Sequence, residues 1–110
     1  MSGRMSRNKG ASFEREFAAL MKHMGWPEAK RGIGQTRSGS EVCDVEGTPW
    51  WIECKRHKRC NIQAAYKQAE LATDGRDIMA VTRDDYGPVL ITMRADNLLG
   101  LIAYLKGVEK

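Results

Sequence analysis

The chain of 110 residues predicts a single α/β domain: one sheet flanked by helices, in the order αβββαββα. Three observations predict it. Two strongly β-prone runs surround Gly47, and amphipathic segments of helical period stand before and after them. A further pair of β-prone runs then leads into a last apolar helix. Two domains in this length would each fall below the size that holds a core unaided. An apolar fraction of 42% with 29% charged residues excludes a disordered chain, and the apolar runs are too short to cross a membrane.

Phe13, Phe17, Leu20, Met21 and Met24 recur on one side of a helix, predicted over 12–24 with Ser12 as N-cap and Gly25 and Pro27 as its stop. Residues 1–9 read as a flexible basic arm without the apolar stretch of a secretory signal. Residues 28–40 predict a short strand near Ile33 and then a basic, glycine-rich loop. Val42–Val45 and Trp50–Lys55 predict an antiparallel hairpin around Glu46, Gly47, Thr48 and Pro49. Asn61 is placed as the cap of a second helix, with Ile62, Ala65, Tyr66, Ala69 and Ala72 inward and Gly75 beyond its end. Strands over 78–82 and 89–93 flank the turn 84–88, and Asp96 is placed as the cap of a last helix carrying Leu98, Leu99, Leu101, Ile102 and Leu105.

The net charge of +4 is unevenly distributed: residues 1–37 hold eight Lys/Arg against three Asp/Glu, and residues 55–59 form a second basic cluster. Contact with a polyanion such as nucleic-acid phosphate, and a merely soluble surface, both fit this pattern. Cys43, Cys54 and Cys60 lack the paired spacing of a zinc site or disulfide framework, so free thiols in a cytoplasmic setting are expected.

The informative chemistry lies between Asp44 and Lys55. On a strand Glu53 and Lys55 share a face, while Ile52 and Cys54 point into the core. With the hairpin closed near Gly47, Asp44 approaches Glu53. Two adjacent carboxylates beside an ammonium suit a hard divalent ion such as Mg²⁺. Such an ion would stabilise charge on a phosphodiester and activate water. The same residues also fit a surface ion pair on an edge strand. His23 and His57 have no partner of the kind a metal or a nucleophilic triad needs and are assigned to the surface. Trp50 and Trp51 are assigned to core or interface.

Asp44, followed after eight residues by Glu53-Cys54-Lys55, resembles the PD-(D/E)XK nuclease superfamily. Lys9-Gly10-Ala11-Ser12-Phe13-Glu14-Arg15-Glu16 and Arg37-Ser38-Gly39-Ser40 resemble segments of archaeal-type Holliday junction resolvases, so the likeness covers about three-quarters of the chain. Cys43 stands where the superfamily pattern has proline.

The resemblance implies a restriction-endonuclease-like fold with a central mixed sheet, and a homodimeric, Mg²⁺-dependent endonuclease (Mn²⁺ substituting) that acts on branched DNA in recombination and repair. The setting would be the nucleoid or a phage-infected cell. It implies Glu14, Asp44 and Glu53 as metal ligands and Lys55 as the catalytic lysine, with Glu14 preferred to Glu16 by position. Ser38 or Ser40 would lie near the scissile phosphate, and Gln68 would be a polar residue near the site. Lys9, Arg37, Lys55, Arg56, Lys58 and Arg59 are candidate phosphate contacts. The alternatives are another small nuclease of the superfamily, such as a nickase or VRR-NUC-like protein, and a non-catalytic nucleic-acid binder.

Overall fold

The computed structural model describes residues 3–33 and 42–107, with side chains from residue 9 onward. The elements are α1 (Gly3–His23), β1 (Lys30–Arg31), β2 (Val45–Glu46), β3 (Trp51–His57), α2 (Ile62–Ala72), β4 (Ile78–Asp84), β5 (Leu90–Thr92) and α3 (Ala95–Leu105). The strands form one mixed sheet in the order β1-β2-β3-β4-β5. Only β3 and β4 run parallel, joined by α2, and the other neighbours are antiparallel. Over the described residues the chain is therefore α/β, with a five-stranded mixed sheet and three helices.

Alternation along the central strands sorts the core into two layers. Ile52 and Cys54 of β3 and Met79 and Val81 of β4 face Phe13, Phe17 and Met21 of α1, and all are buried. On the other face Trp51 and Ile78 meet Ala69 of α2 together with Cys43. Ala65 and Ala69 are the buried positions of α2, and these small side chains let the helix lie close to the sheet. The Asn61 Oδ1 accepts the Ala64 N–H at 3.0 Å, which confirms the expected cap.

Several features differ from expectation. α1 begins at Gly3, so residues 3–9 are helix where an arm was predicted. No proline interrupts 3–11, and Arg, Met and Lys there are good helix formers. The strand expected near Ile33 sits at Lys30–Arg31, and Ile33 is exposed. The first hairpin strand is cut to Val45–Glu46 because the chain bends at Asp44. Ile62 is on the exposed side of α2 rather than inward.

At α3 the N-cap is Arg94, not Asp96. Asp96 lies in the first turn, where its carboxylate takes the Asn97 N–H and pairs with Arg94 at 2.6 Å. The expected boundary was misplaced because an acid in the first turn and a capping acid look alike in sequence.

Candidate active site

The bend at Asp44 builds the site. Val45 pairs with Ile52, but beyond that pair β2 gives β3 no further ladder. The Asp44 N–H still donates to the Ile52 carbonyl at 2.8 Å. One step along, the Cys54 N–H donates to the Asp44 carboxylate, also at 2.8 Å. A side-chain oxygen thus replaces a backbone carbonyl at the edge of β3, which holds Asp44 beside Glu53 and Lys55. The bend also turns Cys43 into the α2 layer while Cys54 lies in the α1 layer. Both thiols are raised by burial, Cys43 to about 11, so both are protonated packing residues.

Glu53 is only 8% exposed. Its Oε1 accepts the Trp51 indole N–H at 2.9 Å, and the Trp51 ring is in turn covered by the Arg76 guanidinium at 5.2 Å. A buried carboxylate needs charge compensation. Close to it lies another acid: the Asp44 carboxyl is pushed up to about 6, first by burial and further by the charge and hydrogen bonding of Glu53. The Cys54 N–H and the Lys55 charge oppose that rise.

Glu14 approaches Asp44 from α1. Burial raises its carboxyl and the Asp44 charge adds to the rise, while a 2.7 Å ion pair with the Arg31 Nε works against both. Glu16 turns elsewhere, to Arg83 at 3.0 Å. Among the described residues, no group of three or more His, Cys, Asp and Glu side chains is arranged to hold a metal ion. The structure brings Asp44 and Glu53 together and leaves Glu14 at the margin, held by Arg31. Two carboxylates are enough for Mg²⁺, which keeps several waters. A mutually repelling pair, Glu53 buried and Asp44 half-buried, fits such an ion.

Lys55 also lines a cleft of about 170 Å³ with His57, Cys60, Asn61 and Gln68, a cleft that neither Asp44 nor Glu53 lines. The basic residues divide. Lys9 pairs with Asp85 at 2.6 Å and Arg56 approaches the same carboxylate at 3.7 Å. Two expected phosphate contacts are therefore engaged by an acid of the β4–β5 turn. Lys58 and Arg59 are exposed. Arg37, Ser38 and Ser40 lie outside the described residues. His57 and His23 are exposed, as expected, and Trp50 and Trp51 are both buried, Trp50 edge-on to Trp26 at 5.0 Å.

Sequence reasoning missed Arg31, Trp51, Arg76 and Asp85 as partners of the site and its basic rim. Arg31, Arg76 and Asp85 act across contacts between separate elements that no local spacing marks, whereas Trp51 stands two residues before Glu53 on the same strand face, where alternation could have found it.

Comparison of the chain with protein families, with curated proteins and with solved structures finds no match. Among the described residues no helix is long and apolar enough to cross a membrane.

Proposed function

We propose that the chain is a Mg²⁺-dependent, structure-selective DNA endonuclease of the restriction-endonuclease-like class, acting as a homodimer on four-way junctions or related branched DNA. The observation that carries this reading is the carboxylate pair of half-buried Asp44 and buried Glu53 with Lys55 beside it. Such an arrangement costs stability in the empty protein, which is understandable where a cation and a phosphodiester compensate it.

Asp44 and Glu53 would hold the ion, which when bound supplies charge neutralisation at the phosphate and a more acidic water. Lys55 places an ammonium beside the carboxylates, where it stabilises the negative charge that grows on the phosphoryl oxygens during attack. Trp51 fixes the Glu53 carboxylate through the indole hydrogen bond, and the Cys54 N–H fixes Asp44. Hydrolysis adds water to phosphorus and releases the 3′-oxygen, leaving 5′-phosphate and 3′-hydroxyl ends. Lys58 and Arg59 supply phosphate contacts that carry no base information, so selection would rest on DNA shape.

The deciding experiment offers labelled four-way junctions, flaps, linear duplex and single strands with Mg²⁺, with Mn²⁺ and with chelator. Metal-dependent, symmetric cleavage of junctions is expected, with loss of cleavage in Asp44→Asn and Glu53→Gln at retained binding. Equal cutting of every form would instead indicate a general nuclease or nickase of the same class. Tight binding without cleavage in either metal would leave a non-catalytic nucleic-acid binder.

A further inference from the structure

The turn between β4 and β5 carries an aromatic side chain in an unfavourable backbone conformation. Tyr86 is 100% exposed at φ +67°, and among the described residues it alone, apart from glycines, has a positive φ. A bulky residue there is strained, and a ring wholly in water gains no packing to offset the cost. Glycine would remove the strain, yet the glycine of this turn stands one place later, at Gly87.

The turn is nonetheless firmly held. Lys9 and Glu16, two turns apart on one side of α1, pair with Asp85 at 2.6 Å and with Arg83 at 3.0 Å. From the other side the Asp85 N–H donates to the His57 carbonyl at 2.9 Å, and Asp84 accepts the Cys60 N–H at 2.6 Å. Tyr86 therefore stands on a braced support.

Its surroundings define what such a ring can meet. The adjoining turn after β3 carries exposed Lys58 and Arg59, and Asp85 is already engaged by Lys9 and Arg56. Cations so close disfavour a cationic ligand, and a lone ring forms no aromatic cage. A nucleotide joins a flat π-face to an anion and matches both features. The register pairs Lys55 with Thr82 and His57 with Asp84, so the turn begins about 7 Å beyond Lys55 at the same end of the sheet.

We propose that Tyr86 is a stacking platform for a DNA base left unstacked at the branch point, a few nucleotides from the phosphate beside Lys55. Lys58 and Arg59 hold the adjoining phosphates. This names a specificity-determining residue for the activity proposed above and rests on that reading. Base faces are open at a branch and in single strands but covered inside a duplex, so the ring adds to selection by backbone shape.

Binding of the full chain to labelled four-way junctions, single strands and linear duplex, in chelator so that nothing is cut, tests it. Tyr86→Asn suits the left-handed backbone and removes the ring. It should weaken binding to junctions and single strands about fivefold or more, and to duplex less than twofold. Its melting temperature should not fall; a fall would mean that the ring packs within the chain, which also overturns the proposal. Tyr86→Phe should bind every form within twofold of the wild type. Because stacking releases no counterions, the salt dependence of binding should be the same in Tyr86→Asn as in the wild type. Unchanged junction affinity in Tyr86→Asn, or an equal loss on all three forms, overturns the proposal and leaves the nuclease reading intact. A wild type that binds no DNA removes both. One that binds through Tyr86 but never cleaves removes only the cleavage reading.

Discussion

Asp44 concentrates the conflict between stability and chemistry in this chain. Its ordinary carboxyl value is 3.8, and in the fold it is raised to about 6, chiefly by burial. The folded state therefore holds the proton more tightly than the unfolded chain. Below about pH 4 the group imposes no penalty; stability falls as pH rises from there through 6, and above that the whole penalty is present. Asp44→Asn keeps an oxygen for the Cys54 N–H and removes the charge. In metal-free buffer it should raise the melting temperature at pH 7.5 and leave it nearly unchanged at pH 4. Mg²⁺ or Mn²⁺ should stabilise the wild type and not this variant, read by thermal melts with and without chelator. Equal melting of both proteins at pH 7.5 would contradict the burial argument.

Thr82 offers a contrast at the same scale. It is paired in register with Lys55, is buried, and its hydroxyl has no partner among the described residues. An unpartnered buried hydroxyl contributes no net hydrogen bond, so Thr82→Val should be neutral or stabilising by about 1 kcal/mol, measured by denaturant unfolding. A loss of more than that would mean the hydroxyl is satisfied in solution.

At the scale of elements, the β2–β3 connection decides whether Asp44 reaches Glu53. Gly47 lies at φ +89°, and a side chain there would run into the Glu28 carbonyl. Gly47→Ala adds backbone strain to a backbone clash and should cost roughly 2 kcal/mol or more in unfolding free energy. Because the loop sets the register Val45 to Ile52, metal-induced stabilisation should weaken in the same variant. Helix α1 works differently. Its apolar stripe places Phe13 and Phe17 on the sheet, and Glu14, next to Phe13, is carried to the margin of the acids while Glu16 faces Arg83. Glu14→Gln should therefore reduce cleavage at least tenfold and Glu16→Gln less than twofold, compared in the junction assay. The reverse order would move the helix-borne carboxylate to Glu16.

Across the whole molecule the net charge of +4 overstates what is available to DNA. Lys9 and Arg56 share Asp85, whose carboxyl Lys9 holds below its usual range. Lys58 and Arg59 stand exposed in the same basic turn. Replacing both with alanine should weaken binding to every DNA form alike and lower the slope of log affinity against log salt by about 2. Replacing Lys9 alone should change that slope by much less. Filter binding across a salt series separates these outcomes, and a large effect from Lys9 would show that its pair with Asp85 opens on DNA.

What the sequence determined by itself is whatever depends on neighbours along the chain. The number and order of elements, the Asn61 cap, the hairpin around Gly47 and the shared face of Glu53 and Lys55 all follow from local periodicity and turn chemistry. Even Asp44 beside Glu53 was legible, because the connection between them is short. Tertiary structure alone decided which groups are left free to act. Arg31 takes Glu14, Arg76 covers Trp51, Asp85 ties Lys9 and Arg56, and α3 keeps its leucines outside. Those outcomes depend on how separate segments meet in space, on desolvation and on which partner arrives first at hydrogen-bonding distance. None of that leaves a periodic trace in the order of residues.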